Sequence, residues 1–233
     1  MTTRSFEAPS MPLVRGLGLC LLLTLLIPLA NWELMFTRLI VVDDVLATVR
    51  ALLGHELLFR AALLVQVIVA VGAAGMGCLM YLMLKSISPG LSLLALVLRL
   101  IEAALIAALP FVGFLAIQLL DRVAVLGTAA SELLEGCVGL FLQGYMALWA
   151  ISMLFFGLGA CLFFQLLRRS GYISARLASA GVVAYALVLA MAVLTLLAPE
   201  LAASPIVQAC GYSPSVLFEA LAGPYILIRG TRA

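Results

Sequence analysis

Three ionisable residues, Arg99, Glu102 and Glu219, interrupt stretches of sequence that are otherwise apolar. Arg99 and Glu102 are three residues apart, a spacing that places both side chains on one face of a helix. One guanidinium facing two carboxylates leaves an excess negative charge, unless one acid is protonated or binds a cation. Ionisable residues inside a membrane are costly, usually paired, and candidates for function. These residues therefore predict a site that binds a proton, a cation or a small polar ligand.

The same three residues also have a purely structural interpretation. Arg99 could bond both carboxylates and thereby fasten the helices that carry them, because an unpaired buried charge is destabilising. A cavity that reaches Glu102 would favour the ligand site, whereas a tightly packed Arg99 without an opening would favour the structural role. The sequence leaves both interpretations open.

Position along the helices predicts that the three residues lie in one layer. Counted at about 1.5 Å per residue, Arg99 lies about 14 Å and Glu102 about 18 Å from Gly90. Counted in the same way from Arg229, Glu219 lies about 15 Å deep. This layer is near the middle of a bilayer, slightly towards the side of the two termini. Arg99 is therefore predicted to contact both Glu102 and Glu219.

The amino-acid composition indicates which class of protein holds these three residues. Hydrophobic residues make up 66% of the 233 residues and charged residues only 10%. A soluble domain has about 25% charged residues. So few charges cannot cover a soluble surface, which excludes a soluble enzyme, a disordered chain and a nucleic-acid binder. The sequence instead predicts an all-α polytopic membrane protein embedded in the lipid bilayer.

Uncharged runs and turn residues predict six transmembrane helices, because crossing a bilayer takes about 20 apolar residues. Ser213 is the expected N-cap of the last helix and Pro214 its first residue, which makes this helix the shortest. The whole chain, residues 1–233, is predicted to form one transmembrane domain. The expected helices cover approximately residues 12–30, 61–84, 91–120, 138–167, 174–197 and 214–229.

The outer loops are predicted to contain further helices. Residues 43–53 combine an apolar face with Asp43 as N-cap and Gly54 as stop, which predicts an amphipathic helix in the first outer loop. A second short helix is expected at Ala129–Glu135.

Basic residues predict the orientation of the chain, because Lys and Arg are retained on the cytoplasmic side. Eight basic residues lie on the side of the two termini and four on the opposite side, so both termini are predicted to be cytoplasmic. The eight are Arg4, Arg15, Lys85, Arg168, Arg169, Arg176, Arg229 and Arg232, and the four are Arg38, Arg50, Arg60 and Arg122.

Motifs for catalysis and metal binding are missing from the sequence. The one histidine, His55, cannot provide a multi-histidine metal site, and the five cysteines show no metal-ligand spacing. A hydrolase or phosphate-binding motif is also absent. No metal and no cofactor are therefore expected, and an enzyme is disfavoured. The oligomeric state, a protein partner and a disulfide between Cys137 and Cys210 are left open.

Six short motifs occur in a fixed order along the chain. They are Leu58-Phe59-Arg60, Arg99-Leu100-Ile101-Glu102-Ala103, Phe155-Phe156-Gly157-Leu158-Gly159, Arg169-Ser170-Gly171-Tyr172-Ile173, Phe218-Glu219 and Arg229-Gly230. Together they resemble the motifs of a prokaryotic membrane family catalogued as domain of unknown function 4386. The resemblance extends from about Arg15 to Gly230. Two departures are Ser174-Ala175-Arg176, where proline and a basic residue are usual, and Gly223-Pro224-Tyr225 in the last helix.

The resemblance implies a multi-pass architecture in the plasma membrane and implies no activity. Two functions from different classes therefore stand as hypotheses. In the first, the protein binds or transports a proton, a cation or a small ligand through Arg99, Glu102 and Glu219. In the second, it is a structural or interaction subunit of a membrane complex, and the same residues only lock helices together.

Overall fold

Helices form all the regular secondary structure of the residues that the structure describes. The structure is a computed structural model that describes residues 10–41, 44–124 and 131–229. No strand occurs within these ranges. The predicted all-α class is therefore confirmed.

In the described ranges, six long helices form the body of the protein, and shorter helical segments lie in two of the connections between them. A π-helical turn, Trp32–Phe36, links the first long helix to the next short one. The long helices are α1 (Met11–Asn31), α4 (Glu56–Leu84), α5 (Pro89–Ala124), α6 (Ser131–Ser170), α7 (Ala175–Leu197) and α9 (Pro205–Arg229). The short ones are α2 (Thr37–Leu39), α3 (Val45–Gly54) and α8 (Pro199–Ala202).

Five described segments are long and apolar enough to cross a membrane, so the chain is a multi-pass helical membrane protein. Large apolar side chains such as Leu57, Leu140 and Leu197 are exposed on the surface of the bundle, as expected for residues that face lipid. Helix α9 is not among the five segments. These are Met11–Leu39, Glu56–Leu84, Pro89–Gln118, Gly136–Ser170 and Ala175–Leu197.

The six long helices pack side by side as a closed ring. Around the ring the order is α1, α4, α5, α6, α7 and α9, and α9 packs back against α1. Glycine permits this last contact, because a Cβ atom on Gly18 would lie only 2.7 Å from the backbone nitrogen of Leu227. Helices α5 and α9 therefore lie on opposite sides of the ring.

The connection between α6 and α7 follows standard capping chemistry. Gly171 has a φ of 72°, a left-handed conformation that ends α6 without strain. Ser174 then caps α7, and its hydroxyl oxygen accepts a hydrogen bond from the Leu177 N–H at 3.3 Å. This turn fixes the register between α6 and α7.

The predicted start of the last helix is wrong. Helix α9 begins at Pro205, so Ser213 and Pro214 lie inside it. The pair Ser-Pro occurs twice in this part of the sequence, and the chain uses the first pair, Ser204-Pro205, as the helix start. Helix α9 consequently has 25 residues and is not the short helix that the sequence predicted.

The amphipathic helix in the first outer loop is present as α3. Its cap is Asp44, whose carboxylate accepts a hydrogen bond from the Ala47 N–H at 2.8 Å, whereas Asp43 lies outside the described residues. Val49 and Leu52 of α3 are buried in a cluster with residues of α4, α5 and α6. The second short helix was expected at Ala129–Glu135. Residues 129 and 130 lie outside the described ranges, and α6 already begins at Ser131.

Candidate functional site

Arg99 and Glu102 form an ion pair in the interior of the ring. Both side chains are only 3% exposed, and Arg99 Nη1 lies 2.5 Å from Glu102 Oε2. The i,i+3 spacing on α5 produces the pairing that the sequence predicted.

Glycines on the two neighbouring helices make room for the Arg99 side chain. A Cβ atom on Gly77 of α4 would lie 3.0 Å from Arg99 Cβ, and one on Gly159 of α6 would lie 3.2 Å from Arg99 Cγ and Cδ. Beyond this passage, the guanidinium carbon lies 4.7 Å from the ring centroid of Phe156. A cation over an aromatic face is stabilised by the ring quadrupole. The Arg99 side chain is thus held from three sides.

Glu219 is bound by a tyrosine from the adjacent helix. Tyr185 of α7 is 1% exposed, and its hydroxyl donates a hydrogen bond of 2.6 Å to Glu219 Oε1. The Tyr185 ring stacks on Phe164 at a centroid distance of 5.3 Å and meets Phe156 edge-on at 5.2 Å. The Tyr185 hydroxyl is therefore held in a fixed direction by aromatic packing.

The structure brings the three predicted site residues together, but in a different arrangement from the predicted one. Glu219 is close enough to Arg99 and Glu102 for electrostatic interaction. The predicted direct contact between Arg99 and Glu219 is wrong, because Tyr185 bonds Glu219 and the described ion pair of Arg99 is with Glu102. The reason is that α5 and α9 lie across the ring. Arg99 contacts Phe156, Phe156 contacts Tyr185, and Tyr185 bonds Glu219. Arg99, Glu102, Tyr185 and Glu219 are called the polar layer below.

Two pockets in the described part of the chain lie away from the polar layer. An apolar cavity of about 40 Å³ lies beside Phe36 and Tyr145, and a larger groove lies between α7 and α9. Arg99, Glu102 and Glu219 line neither of them. Neither pocket is therefore lined by a charged residue of the polar layer.

Sequence reasoning did not identify Tyr185 as a residue of the site. A signal was present, because Tyr185 is ten residues after Ala175 and so lies about 15 Å along α7. This is the depth of Arg99 and Glu219. The missing information was the direction in which the side chain points.

A second buried polar chain, which the sequence did not predict, connects α1, α4 and α6. The Asn31 amide is 3% exposed and donates to the Ala62 carbonyl oxygen at 3.2 Å and to Gln66 Oε1 at 3.4 Å. The Gln66 amide in turn donates to the Tyr145 hydroxyl at 3.3 Å. Uncharged groups of this kind join helices in apolar surroundings.

Metal ligands do not converge in the residues that the structure describes. No group of three or more His, Cys, Asp or Glu side chains there could hold a metal ion. All five cysteines are free thiols, including Cys137 and Cys210.

A family model described as Domain of unknown function (DUF4386) matches residues 17–230, which include the whole polar layer. This match confirms the resemblance inferred from the motifs. No curated protein and no solved structure matches the chain.

Proposed function

The chain belongs to the family described as Domain of unknown function (DUF4386), and we propose that its polar layer is a proton-binding site. The observation that carries this proposal is the ratio of two buried carboxyl groups to one guanidinium. The proposal concerns binding of the proton at this layer, within a protein that crosses the membrane several times.

Charge balance supports a proton in the layer. The charged and titratable groups around Glu219 are Tyr185 from α7 and Arg99 and Glu102 from α5. The neighbouring groups from α6, Phe156 and Phe164, carry no charge. With both acids ionised, one negative charge would remain uncompensated in an apolar interior, where an unpaired charge costs several kcal/mol. One bound proton removes this charge.

The contacts point to Glu219 as the acid that holds the proton. Glu102 touches Arg99 and is neutralised by it as an ionised carboxylate. The hydrogen bond that Glu219 makes within the described part of the chain is with the neutral hydroxyl of Tyr185, through Oε1. A proton on the second carboxyl oxygen leaves this hydrogen bond intact.

The surroundings of the layer favour a proton over the other predicted ligands. Neither the apolar cavity beside Phe36 nor the groove between α7 and α9 is lined by the three charged residues, so neither supplies room for a small molecule at the layer. A divalent cation such as calcium prefers six or more oxygen ligands, and the two carboxyl groups supply four oxygen atoms at most.

The proposal is tested by the pH dependence of stability of the purified chain in detergent. As the pH rises and the proton leaves Glu219, the uncompensated charge destabilises the fold, so the melting temperature of the wild type falls. Glu219→Gln keeps the shape of the side chain and cannot ionise. In this variant, the part of the decrease in melting temperature that comes from ionisation of Glu219 is therefore absent. Glu200→Gln is the matched control, because Glu200 is exposed and its replacement leaves the pH dependence unchanged. A Glu219→Gln variant with the full wild-type pH dependence would show that the proposal is wrong.

The second hypothesis, a layer that only locks helices in a structural or interaction subunit, is favoured by the packing around Arg99. Gly77, Gly159 and Phe156 enclose its side chain, and the Tyr185–Glu219 bond joins α7 to α9. Under this alternative, Glu219→Gln keeps the wild-type pH dependence, whereas Tyr185→Phe lowers stability at every pH. The same experiment therefore separates the two functions.

We also propose that the protein lies in the plasma membrane with both termini in the cytoplasm and that α9 is a sixth span. The excess of basic residues on the side of the termini supports this orientation. With 25 residues, α9 is about 37 Å long, enough to cross a bilayer of about 30 Å. It also packs along α1 and α7, which are spanning segments.

A further inference from the structure

A groove runs along the outer surface of the ring between α7 and α9. Its volume of about 540 Å³ lies in the usual range for ligand sites, about 300–1,000 Å³. Ala184 and Phe218 are buried and form its floor, and Ser179 is the one polar residue of its lining. The exposed side chains of Val183, Leu217 and Leu221 form its rims. Such a groove accepts an apolar chain.

A positively charged side chain, that of Arg176, lies at the end of the groove where α7 begins. Arg176 is exposed and precedes Leu177, the first lining residue on α7. Arg176, Ser179, Ala180 and Val183 follow the spacing i, i+3, i+4, i+7 and therefore share one face of the helix. Helical side chains lean towards the N-terminus, so the guanidinium extends beyond the groove towards the membrane surface. None of the described residues forms an ion pair with Arg176.

We propose that the groove binds an acyl chain of a phospholipid whose anionic headgroup is held by Arg176. The groove is complementary to a phospholipid in charge and in polarity. The Arg176 side chain is at the membrane surface, where the headgroup lies, and the apolar lining is below it, where the acyl chain lies. Arg168 and Arg169 are also exposed, at the end of α6 that precedes the turn into α7. Basic residues grouped at one membrane surface attract anionic lipids.

The length of the groove favours a lipid chain over a partner helix. From Leu177 to Ala184 it extends about 10 Å along α7, at 1.5 Å per residue. This is less than the thickness of one leaflet, about half of a hydrocarbon core of about 30 Å. A partner helix that crosses the bilayer would contact α7 along most of its 23 residues.

The floor of the groove is also the outer wall of the polar layer. Phe218 precedes Glu219 in the sequence, and its ring centroid lies 6.0 Å from that of Tyr185. A bound acyl chain therefore packs behind the Tyr185–Glu219 hydrogen bond. The lipid site does not depend on whether Glu219 binds a proton.

Native mass spectrometry of the full chain, titrated with phosphatidylglycerol in detergent, tests the proposal. The wild type binds one phosphatidylglycerol more tightly than phosphatidylcholine with the same acyl chains. Arg176→Gln weakens phosphatidylglycerol binding about five-fold, the contribution of one basic residue near a membrane surface. Ala180→Trp fills the groove from an exposed position and abolishes the bound lipid.

Matched controls separate a specific site from general attraction. Arg15 and Ala190 are exposed and do not line the groove, so Arg15→Gln and Ala190→Trp bind as the wild type does. Ala180→Leu provides a smaller obstruction if Ala180→Trp fails to fold. Equal weakening by Arg15→Gln and Arg176→Gln would overturn the proposal, and so would normal binding by folded Ala180→Trp or Ala180→Leu. A changed oligomeric state with unchanged lipid binding would instead assign the groove to a second copy.

Discussion

Replacing Arg99 by methionine tests how strongly the buried ion pair supports the fold. The change removes the charge that neutralises Glu102 and leaves an unbranched side chain about as long as the Arg99 stem that passes between Gly77 and Gly159. Removing one partner of a buried ion pair costs about 3–5 kcal/mol, because the other charge stays buried and unpaired. The Arg99→Met variant is therefore expected to lose stability in this range.

The double variant Arg99→Met/Glu102→Met should be more stable than Arg99→Met alone. It removes the orphaned carboxyl group together with the guanidinium, and replacing both members of a buried pair by apolar residues is often neutral or stabilising. Recovery of about 2 kcal/mol or more would show that the cost of the single change comes from the unpaired acid and not from lost packing.

The exposed ion pair Arg60–Glu56 provides a matched control. Its side chains are 41% and 46% exposed, and the Arg60 guanidinium also lies over an aromatic ring, that of Phe114, at 5.8 Å. Exposed ion pairs contribute about 0–1 kcal/mol. Equilibrium unfolding in mixed micelles measures all variants. A loss for Arg99→Met no greater than that for Arg60→Met, or a double variant less stable than Arg99→Met, would refute the reasoning.

Three further predictions concern the packing around Arg99, the Tyr185–Glu219 hydrogen bond and the membrane topology. Gly159→Ala places a methyl group against the Arg99 stem and should lower the free energy of unfolding by about 1–3 kcal/mol. Gly144→Ala on the same helix is the control, because its methyl group meets nothing within 4 Å and the free energy of unfolding should hardly change. Tyr185→Phe deprives a buried carboxyl group of its donor and should cost about 1–3 kcal/mol in the same assay; an unchanged stability would contradict the assigned bond. Reporter fusions after Arg169 and after Ala233 should both report a cytoplasmic location, and a periplasmic signal at either position would contradict the proposed topology.

The sequence predicted the number and order of the long helices better than their ends. Charged residues mark the membrane surface, but a helix can continue past them into water. Helix α4 begins at Glu56, before Arg60, and these two residues form an i,i+4 pair on the helix surface. The start of α9 was missed because capping rules permit both Ser-Pro pairs, and local sequence alone does not choose between them.

The sequence predicted how deep each site residue lies along its helix, but not which neighbour its side chain contacts. Counting residues along each helix placed Arg99, Glu102 and Glu219 in one layer, and the structure brings them into electrostatic range. Which neighbour each side chain meets depends on the order of the helices around the ring, which the sequence does not state. Tyr185 reaches Glu219 because α7 is adjacent to α9, whereas Arg99 approaches from across the ring.

Infrared difference spectroscopy tests most directly whether the layer holds a proton. A protonated carboxyl group buried in apolar surroundings has a carbonyl stretch that is distinct from the bands of an ionised carboxylate. We predict that the wild type has this carboxylic acid band near neutral pH, that Glu219→Gln abolishes it, and that the control variant Glu200→Gln leaves it unchanged. Absence of the band in the wild type, or its persistence in Glu219→Gln, would contradict the assignment of the proton to Glu219.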